Sequence, residues 1–352
     1  MRDMSGDPIL IWGGGAIGGT LAAYWARAGI PVLLVDIVTD HVVACRTRGL
    51  AITGPVEEFT AVVSAATPDE IRGRFSRIVL AVKAQATDRA IAQLAPYLTE
   101  DGFVLSAQNG LNEIAIARAV GEARTMGCFV NFGADWHGPG KILFGNRGAV
   151  VVGEIDGSMR QRTHVMHAAL QIFEPNAVLT DNIWGYLWGK LAYGAMLFAT
   201  ALTTDSMTEN LADPRRTVVF EALGREVMAV AAARGVTPVG FNGFDPSAFA
   251  ATALPAEARA SIAALAEFNR HTAKTHTGIY RDLAVRKRQT EIDPQIGIIV
   301  SLGREAGVAT PALSRLVELI HGIEDGRRPM AFATFEELIA ICSSASTNAS
   351  HS

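Results

Sequence analysis

The sequence predicts an α/β fold, a doubly wound parallel sheet followed by an all-helical C-terminal domain, and three observations carry that expectation. Short apolar runs alternate with longer helical patterns through the first half of the chain. A glycine-rich turn, Gly13 to Gly18, stands between the first apolar run and the first helical pattern. From Met159 onward almost every segment has a helical pattern. With 352 residues, the chain has room for two domains of about 150 residues each.

Taken in order, Pro8–Trp12 reads as a strand, Ala16–Ala28 as a helix and Pro31–Asp36 as a second strand. Arg77–Val82 and Gly102–Ser106 are further short buried strands, with a helix over Ala86–Leu98 between them. Runs apolar on both faces are what a parallel sheet covered by helices requires. Thr125–Val152 differs, because Gly and Pro punctuate its alternating apolar residues in HGPGK and FGNRG. That pattern predicts hairpin-like strands at the sheet edge. Asp181–Thr203, Pro214–Arg234, Pro255–Ser301 and Ala312–Asp325 contain good helix formers and few breakers. The change places the domain boundary near Asp156–Met159 or, if one helix belongs to the first domain, near Asn176–Asp181. The second choice gives a sheet domain over 1–178 and a helical domain over 179–330. Residues 331–352 then form a C-terminal helix and a disordered tail, SSASTNASHS.

Composition excludes several classes. Hydrophobic residues make up 49% and charged residues 19%, which a disordered chain does not have. Lys+Arg 31 against Asp+Glu 35 leaves a net charge of −4, with no basic excess to neutralise nucleic-acid phosphates. Cys45, Cys128 and Cys342 are far apart and odd in number, which fits a reducing compartment and no zinc site. The polar start MRDMSGDP is unlike a signal peptide, and the longest apolar run, Leu191–Leu202, is too short to span a bilayer. The expectation is a soluble, cytoplasmic protein with no nucleic-acid, membrane or metal partner.

The glycine turn has the spacing Gly13-x-Gly15-x-x-Gly18, directly after a strand and at the start of a helix. In a Rossmann domain the first glycine permits a tight turn, the second admits a pyrophosphate, and the third allows close helix–strand packing. The free N–H groups of the helix start, around Ala16 and Ile17, would face the phosphates. Asp36 closes the second strand, where a carboxylate accepts from the ribose 2′-OH and repels a 2′-phosphate. The next residues are Ile-Val-Thr-Asp-His, with no nearby Arg or Lys. NAD is therefore favoured as cofactor and NADP stays open, as does an ordinary loop acid at Asp36. Lys83 and the pair Gln108-Asn109 follow two later strands, at the carboxyl ends where such sheets bind ligands. Either could be a plain loop residue, but their shared position makes the set a candidate.

The combination GGGAIG, the Lys of VKA, QNG, W-x-K-L on a helix, R-x-x-TEID and GREAGVATPALSRL resembles the ketopantoate reductase (2-dehydropantoate 2-reductase) family over about residues 8–325. The resemblance implies a 6-phosphogluconate-dehydrogenase-like architecture, with the active site in the cleft between a Rossmann and a helical domain. It implies that Lys190 donates the proton to a carbonyl while the nicotinamide delivers hydride. It also implies that Glu291 holds substrate and cofactor, that Asn109 lies beside the nicotinamide, and that Lys83 contacts cofactor or substrate. A lysine desolvated in a cleft can serve as such a donor. From the residues alone, Lys190 could instead snorkel from its apolar helix, and Glu291 could belong to a solvated face.

Three departures from the family pattern point one way. Gly194 and Phe198 stand where asparagines commonly follow the lysine, which suggests empty space and an aromatic wall in the substrate pocket. The usual upstream serine has no clean match, Thr277 or Gly278 being nearest. Asp36 replaces the basic environment expected for NADPH. The sequence therefore predicts an NAD-linked oxidoreductase for a 2-oxo acid/2-hydroxy acid pair or a bulkier, less polar alcohol, acting as a homodimer. The alternatives are an NADPH-dependent ketopantoate reductase and, from another class, a dinucleotide-sensing regulator without turnover.

Weaker signals have plainer readings. Asp135, Trp136 and His137 belong to a surface hairpin, where neighbours point to opposite faces. His164 and His167, and His271 and His276, lack metal-ligand spacing. Arg281, Arg286, Lys287 and Arg288 form a basic face that either anchors a carboxylate or is simply solvated.

Overall fold

The computed structural model describes residues 7–241, 243–270 and 275–349. It divides into two compact units, Met1–Ile183 and Trp184–Ser352.

Unit 1 begins with β1 (Ile9–Trp12), α1 (Ala16–Arg27), β2 (Val32–Val35), α2 (Thr39–Arg48), β3 (Leu50–Thr53), β4 (Phe59–Ala61) and β5 (Ser64–Ala66). It continues through β6 (Phe75–Leu80), α3 (Thr87–Leu94), β7 (Leu98–Ser106), α4 (Asn112–Val120) and β8 (Thr125–Val130). β9 (Gly133–Gly138), β10 (Lys141–Asn146), β11 (Val150–Glu154), α5 (Gln161–Phe173) and β12 (Val178–Leu179) complete it.

Eight strands form one sheet in the order β12-β11-β8-β7-β6-β1-β2-β5. From β8 through β5 every neighbouring pair is parallel, and β11 then runs antiparallel to β8. The strand order reverses at β1, which makes the crevice beside it the switch point of a doubly wound sheet. All four residues of β1 are buried. Ile9 and Ile11 enter one core, and Leu10 and Trp12 the other, as the strand's period of two requires.

The glycine-punctuated segment departs from the expected edge hairpins. β8 and β11 lie inside the main sheet, while β9 and β10 pair with each other and with β3 in a separate sheet, β4-β3-β10-β9. That small sheet packs on α1. Gly19 makes this contact close, since a Cβ there would lie 2.3 Å from Ile142 Cδ1. Tyr24 of α1 meets Phe59, Phe144 and Phe173 edge-on, at centroid separations of 5.0, 6.0 and 5.1 Å. On the same helix Trp25 Nε1 donates to Ala169 O of α5 at 2.7 Å. α1 is thereby fixed to the small sheet and to α5.

β12 pairs with β11, so the first unit runs a few residues past the expected end at 178. Unit 2 is helical: α6 (Ile183–Thr200), α7 (Met207–Ala212), α8 (Thr217–Ala233), α9 (Pro255–Arg270), α10 (Gly278–Tyr280), α11 (Ile298–Glu305), α12 (Pro311–Glu324) and α13 (Phe332–Ala349). The continuous pattern over Pro255–Ser301 is broken in the structure. α9 is described as far as Arg270, residues 271–274 lying outside the described residues, and π-helical turns occupy Arg281–Val285 and Asp293–Gly297. Between them Lys287 adopts a φ of 49°, in the left-handed region.

The C-terminal segment is not a separate part. α13 belongs to unit 2, with buried Phe335 against Phe220 and the Arg216 guanidinium 5.2 Å from the Phe335 ring. Its helix runs to Ala349, through most of the segment expected to be disordered, and residues 350–352 lie outside the described residues. No helix among the described residues is long and apolar enough to cross a membrane.

Phe144 is fully buried and touches Tyr24, Phe132 and Phe173. Phe144→Ala should destabilise the protein by about 3–5 kcal/mol in chemical denaturation, through the cavity it leaves.

Candidate active site

The glycine turn lies at the carboxyl end of β1. Gly13 has a φ of +110°, and a Cβ there would sit 2.7 Å from the Val82 nitrogen on the chain leaving β6. At Gly18 a Cβ would meet Gly13 O at 2.1 Å and Ala81 Cβ at 2.9 Å. Both positions exclude side chains because of neighbouring protein atoms. Gly15, the N-cap of α1, differs: a Cβ there would meet nothing within 4 Å. α1 also has no side-chain cap and no acid in its first turn, where Ala16 and Ile17 are half-buried. Uncapped N–H groups opening on free space fit the diphosphate of a dinucleotide.

Asp36 is held at this turn. Its Oδ2 accepts from the Gly14 N–H at 2.7 Å and its Oδ1 from the Val38 N–H at 2.8 Å. Each oxygen keeps a lone pair for a further donor such as a ribose hydroxyl. Arg46, the first Lys or Arg after Asp36, is committed elsewhere: its Nε donates to Ala65 O at 2.6 Å and its guanidinium pairs with Glu70 at 2.5 Å. Next to Asp36 a shallow depression of about 480 Å³ is lined by Trp12, Ile37, Thr67, Asp69, Arg89 and Tyr97, among others. Ile37 is 65% exposed there, an apolar surface suited to a flat base ring. Sequence reasoning did not find this depression, because its lining comes from well-separated loops.

Lys83 is exposed just after β6 and begins the turn into α3. Gln108 is buried, and its amide donates to Val82 O at 2.9 Å and to Thr87 Oγ1 at 2.8 Å. Thr87 Oγ1 donates in turn to Asn112 Oδ1 at 2.8 Å, and Asn112 Nδ2 to Asn109 O at 2.7 Å. Gln108 is therefore a brace between the loops, where the sequence suggested a cofactor contact. Asn109 is half-buried at the carboxyl end of β7, fixed by this network.

Glu113, one residue beyond Asn112, is fully buried, and its carboxyl oxygens lack a hydrogen bond of normal geometry. Burial pushes its pKa up to about 8, against the opposing influence of its own backbone N–H and the Ser106 hydroxyl.

In unit 2, α6 carries Lys190, which is half-buried. Its glycines let the chain at Val239 lie against the helix: Val239 N–H donates to Gly185 O at 2.8 Å, and a Cβ on Gly189 would meet Val239 O at 2.1 Å. Gly194, one turn beyond Lys190, has a single neighbour within 4 Å of its ideal Cβ, Gln295 Oε1 at 3.9 Å. The space expected to be empty thus faces an amide. Phe198, expected as an aromatic wall, is only 1% exposed.

Glu291 is buried, and Gln295 N–H donates to its carbonyl at 3.2 Å. The preceding Thr290 is anchored by its N–H and its hydroxyl, both donating to Glu324 Oε1 at 2.7 Å. Gly194, one turn along α6 from Lys190, therefore lies close to Gln295, one turn beyond Glu291. Thr277 is buried, and its hydroxyl accepts from Tyr280 N–H at 3.0 Å as the cap of α10. That capping bond gives Thr277 a structural role and leaves its hydroxyl proton available to donate. Asp282 pairs with Arg286 at 3.0 Å and Arg288 at 2.8 Å, which ties down much of the basic face.

His167 is bonded to Ala177 O, and His271 lies outside the described residues. Among the described residues no three His, Cys, Asp or Glu side chains gather where they could hold a metal. The three cysteines are buried.

Comparison with known proteins agrees with this geometry. The family described as Ketopantoate reductase PanE/ApbA matches residues 9–157, and its C-terminal counterpart matches residues 182–324. A 2-dehydropantoate 2-reductase of Mesorhizobium japonicum is 27% identical over 338 residues, covering 89% of this chain and 96% of the relative. One of Archaeoglobus fulgidus is 25% identical, covering 90% and 98%. Among solved structures, a ketopantoate reductase from Ralstonia eutropha superimposes with a TM-score of 0.76 at 25% identity, covering 91% and 99% of the two chains. D-mandelate dehydrogenase with NADH and anilino(oxo)acetate has the same fold, with a TM-score of 0.78 at 24% identity and the same coverage. The protein is an oxidoreductase that acts on CH–OH or keto groups with a nicotinamide cofactor. It belongs to the ketopantoate reductase family.

Glu113 supplies a pH test of the loop behind Asn109. An unfolded chain releases this proton near the ordinary glutamate value of 4.5, whereas the folded chain keeps it to about 8. Folded stability should therefore fall as pH rises between those values. Glu113→Gln should remove that slope, giving a higher Tm than wild type at pH 8 and a gap that closes towards pH 5.

Proposed function

We propose that this protein uses NAD(H) to interconvert a 2-oxo acid and a 2-hydroxy acid less polar than ketopantoate. The observation that supports the reading most directly is the Asp36 carboxylate, held at the open glycine turn by two backbone N–H groups. A 2′-phosphate placed beside it would meet like charge, and Arg46 is tied to Glu70.

The bound nicotinamide supplies hydride to the substrate carbon, or takes it in the oxidative direction. Lys190 donates a proton to the carbonyl oxygen as it gains charge, and removes the hydroxyl proton in reverse. Glu291, held through Thr290 and Glu324, orients the substrate from the turn facing α6. Gly194 offers no polar group, and Gln295 offers one amide across from it. A substrate next to Lys190 thus finds room and a single amide, which suits a bulkier side chain. A homodimer in the cytoplasm accompanies this reading.

NADPH-dependent reduction of ketopantoate is the second reading. The names of the curated relatives favour it, and Arg89 lines the depression near Asp36, where it could take a phosphate.

Fluorescence titration with NADH and NADPH should show NADH binding about tenfold tighter or more, and Asp36→Asn should shrink that ratio. Tighter NADPH binding with brisk ketopantoate turnover would establish the second reading. Lys190→Ala should keep cofactor affinity and lose about 10²–10⁴ in kcat, the usual contribution of a positioned proton donor. Unchanged kcat would place the donor elsewhere, and cofactor binding without turnover across a broad 2-oxo acid panel would favour the sensor.

A further inference from the structure

We infer that His41 is a positioning residue of the dinucleotide turn: a neutral imidazole, protonated on Nε2, that grips Gly14 and ties the turn to the β9–β10 hairpin. The inference depends on the turn binding a dinucleotide and not on the choice of NAD, NADP or substrate.

His41 lies in the first turn of α2 and is 1% exposed although its neighbours on both sides in sequence include exposed residues. Its Nδ1 accepts from the Gly140 N–H at 3.0 Å and lies 3.4 Å from Trp136 Nε1. A backbone N–H and an indole N–H can only donate, so Nδ1 must carry the lone pair. The ring proton then belongs to Nε2. That atom lies 3.0 Å from where a Gly14 Cβ would stand, which brings its proton close to the Gly14 backbone.

Gly14 is thus held at its N–H by Asp36 and packed closely by the His41 ring, both of which crowd the place where a Gly14 Cβ would stand. The next residue is Gly15, whose open space receives the diphosphate in the reading above. A shift of Gly14 would carry the first N–H groups of α1 with it.

The groups facing the ring are accounted for. Asp36 faces it from the end of β2 and Cys45 from its own helix, with Sγ 3.7 Å from Nε2. The hairpin presents the Trp136 indole and the Gly140 backbone, and the turn presents only backbone. Burial lowers the pKa of His41 despite the attraction of Asp36, which keeps the ring neutral. A phenylalanine of similar size would fill the space but leave the Gly140 N–H and the Gly14 contact unmet.

Selective ¹⁵N-histidine labelling, with His41→Gln to assign the resonance, reads the tautomer, and calorimetric titration with ADP-ribose reads the turn without involving the reaction. The expected tautomer at pH 7 is Nε2–H. His41→Gln, whose amide can accept at one end and donate at the other, should bind ADP-ribose close to wild type. His41→Phe should bind it about tenfold more weakly, the loss typical of a broken buried hydrogen bond. Should that variant fail to fold, His41→Asn, too short to span from Gly140 to Gly14, should show the same loss. A role in packing alone would lower Tm and leave ADP-ribose affinity of the folded protein unchanged. That result, or a ring carrying its proton on Nδ1, would overturn the assignment. Wild-type protein that binds no ADP-ribose would overturn the dinucleotide reading together with it.

Discussion

The structure of unit 1 depends on how closely the chain leaving β6 passes the turn leaving β1. A Cβ at Gly13 would lie well inside van der Waals contact with Ala81 and Val82, and one at Gly18 would strike Gly13 itself. Only glycines admit that approach, and the approach brings the exits of β1 and β6 together at the point where the strand order reverses. The opening over Gly15, the Asp36 carboxylate and the Lys83 loop then surround one crevice. Buried strands apolar on both faces hold it rigid from beneath, with alternate residues of β1 anchoring two separate cores.

Much of this was legible in the sequence because it rests on local rules. The order strand, glycines, helix, strand and acid is a contiguous pattern, and it predicted β1, α1, β2 and Asp36 with small errors at the ends. The candidate proton donor was legible as the one lysine on the apolar helix α6. What the sequence concealed depends on distant pairing. The hairpin β9–β10 joins β3, nearly a hundred residues earlier, and no local period announces which sheet a hairpin will choose. Gln108 and Thr277 stood at the right places for ligand contacts, and their side chains also bond Val82, Thr87 and Tyr280 within the fold. A polar side chain at a strand end looks the same in sequence whether it faces a ligand or braces the loop behind one.

The same limit shaped the reading of the helical unit. Gly194 implied room beside the helix, but the sequence did not say what faces that room, which is the Gln295 amide. Phe198 implied a wall, but helical spacing alone does not separate a residue lining a pocket from one in the core. Hydrophobic helices offer many such ambiguous positions. Unit 2 accordingly gave up its helix boundaries less readily than unit 1 gave up its strands.

The π-helical turn just after Glu291 has a geometric consequence. It holds an extra residue relative to an α-helix, and adding or removing a residue there turns one side by about 100° around the axis relative to the other. The azimuth of Glu291 relative to α11 is therefore set by chain length in Asp293–Gly297 as much as by side-chain identity. A single-residue insertion or deletion in that turn is thus a way for such a scaffold to re-aim a carboxylate without replacing the carboxylate itself.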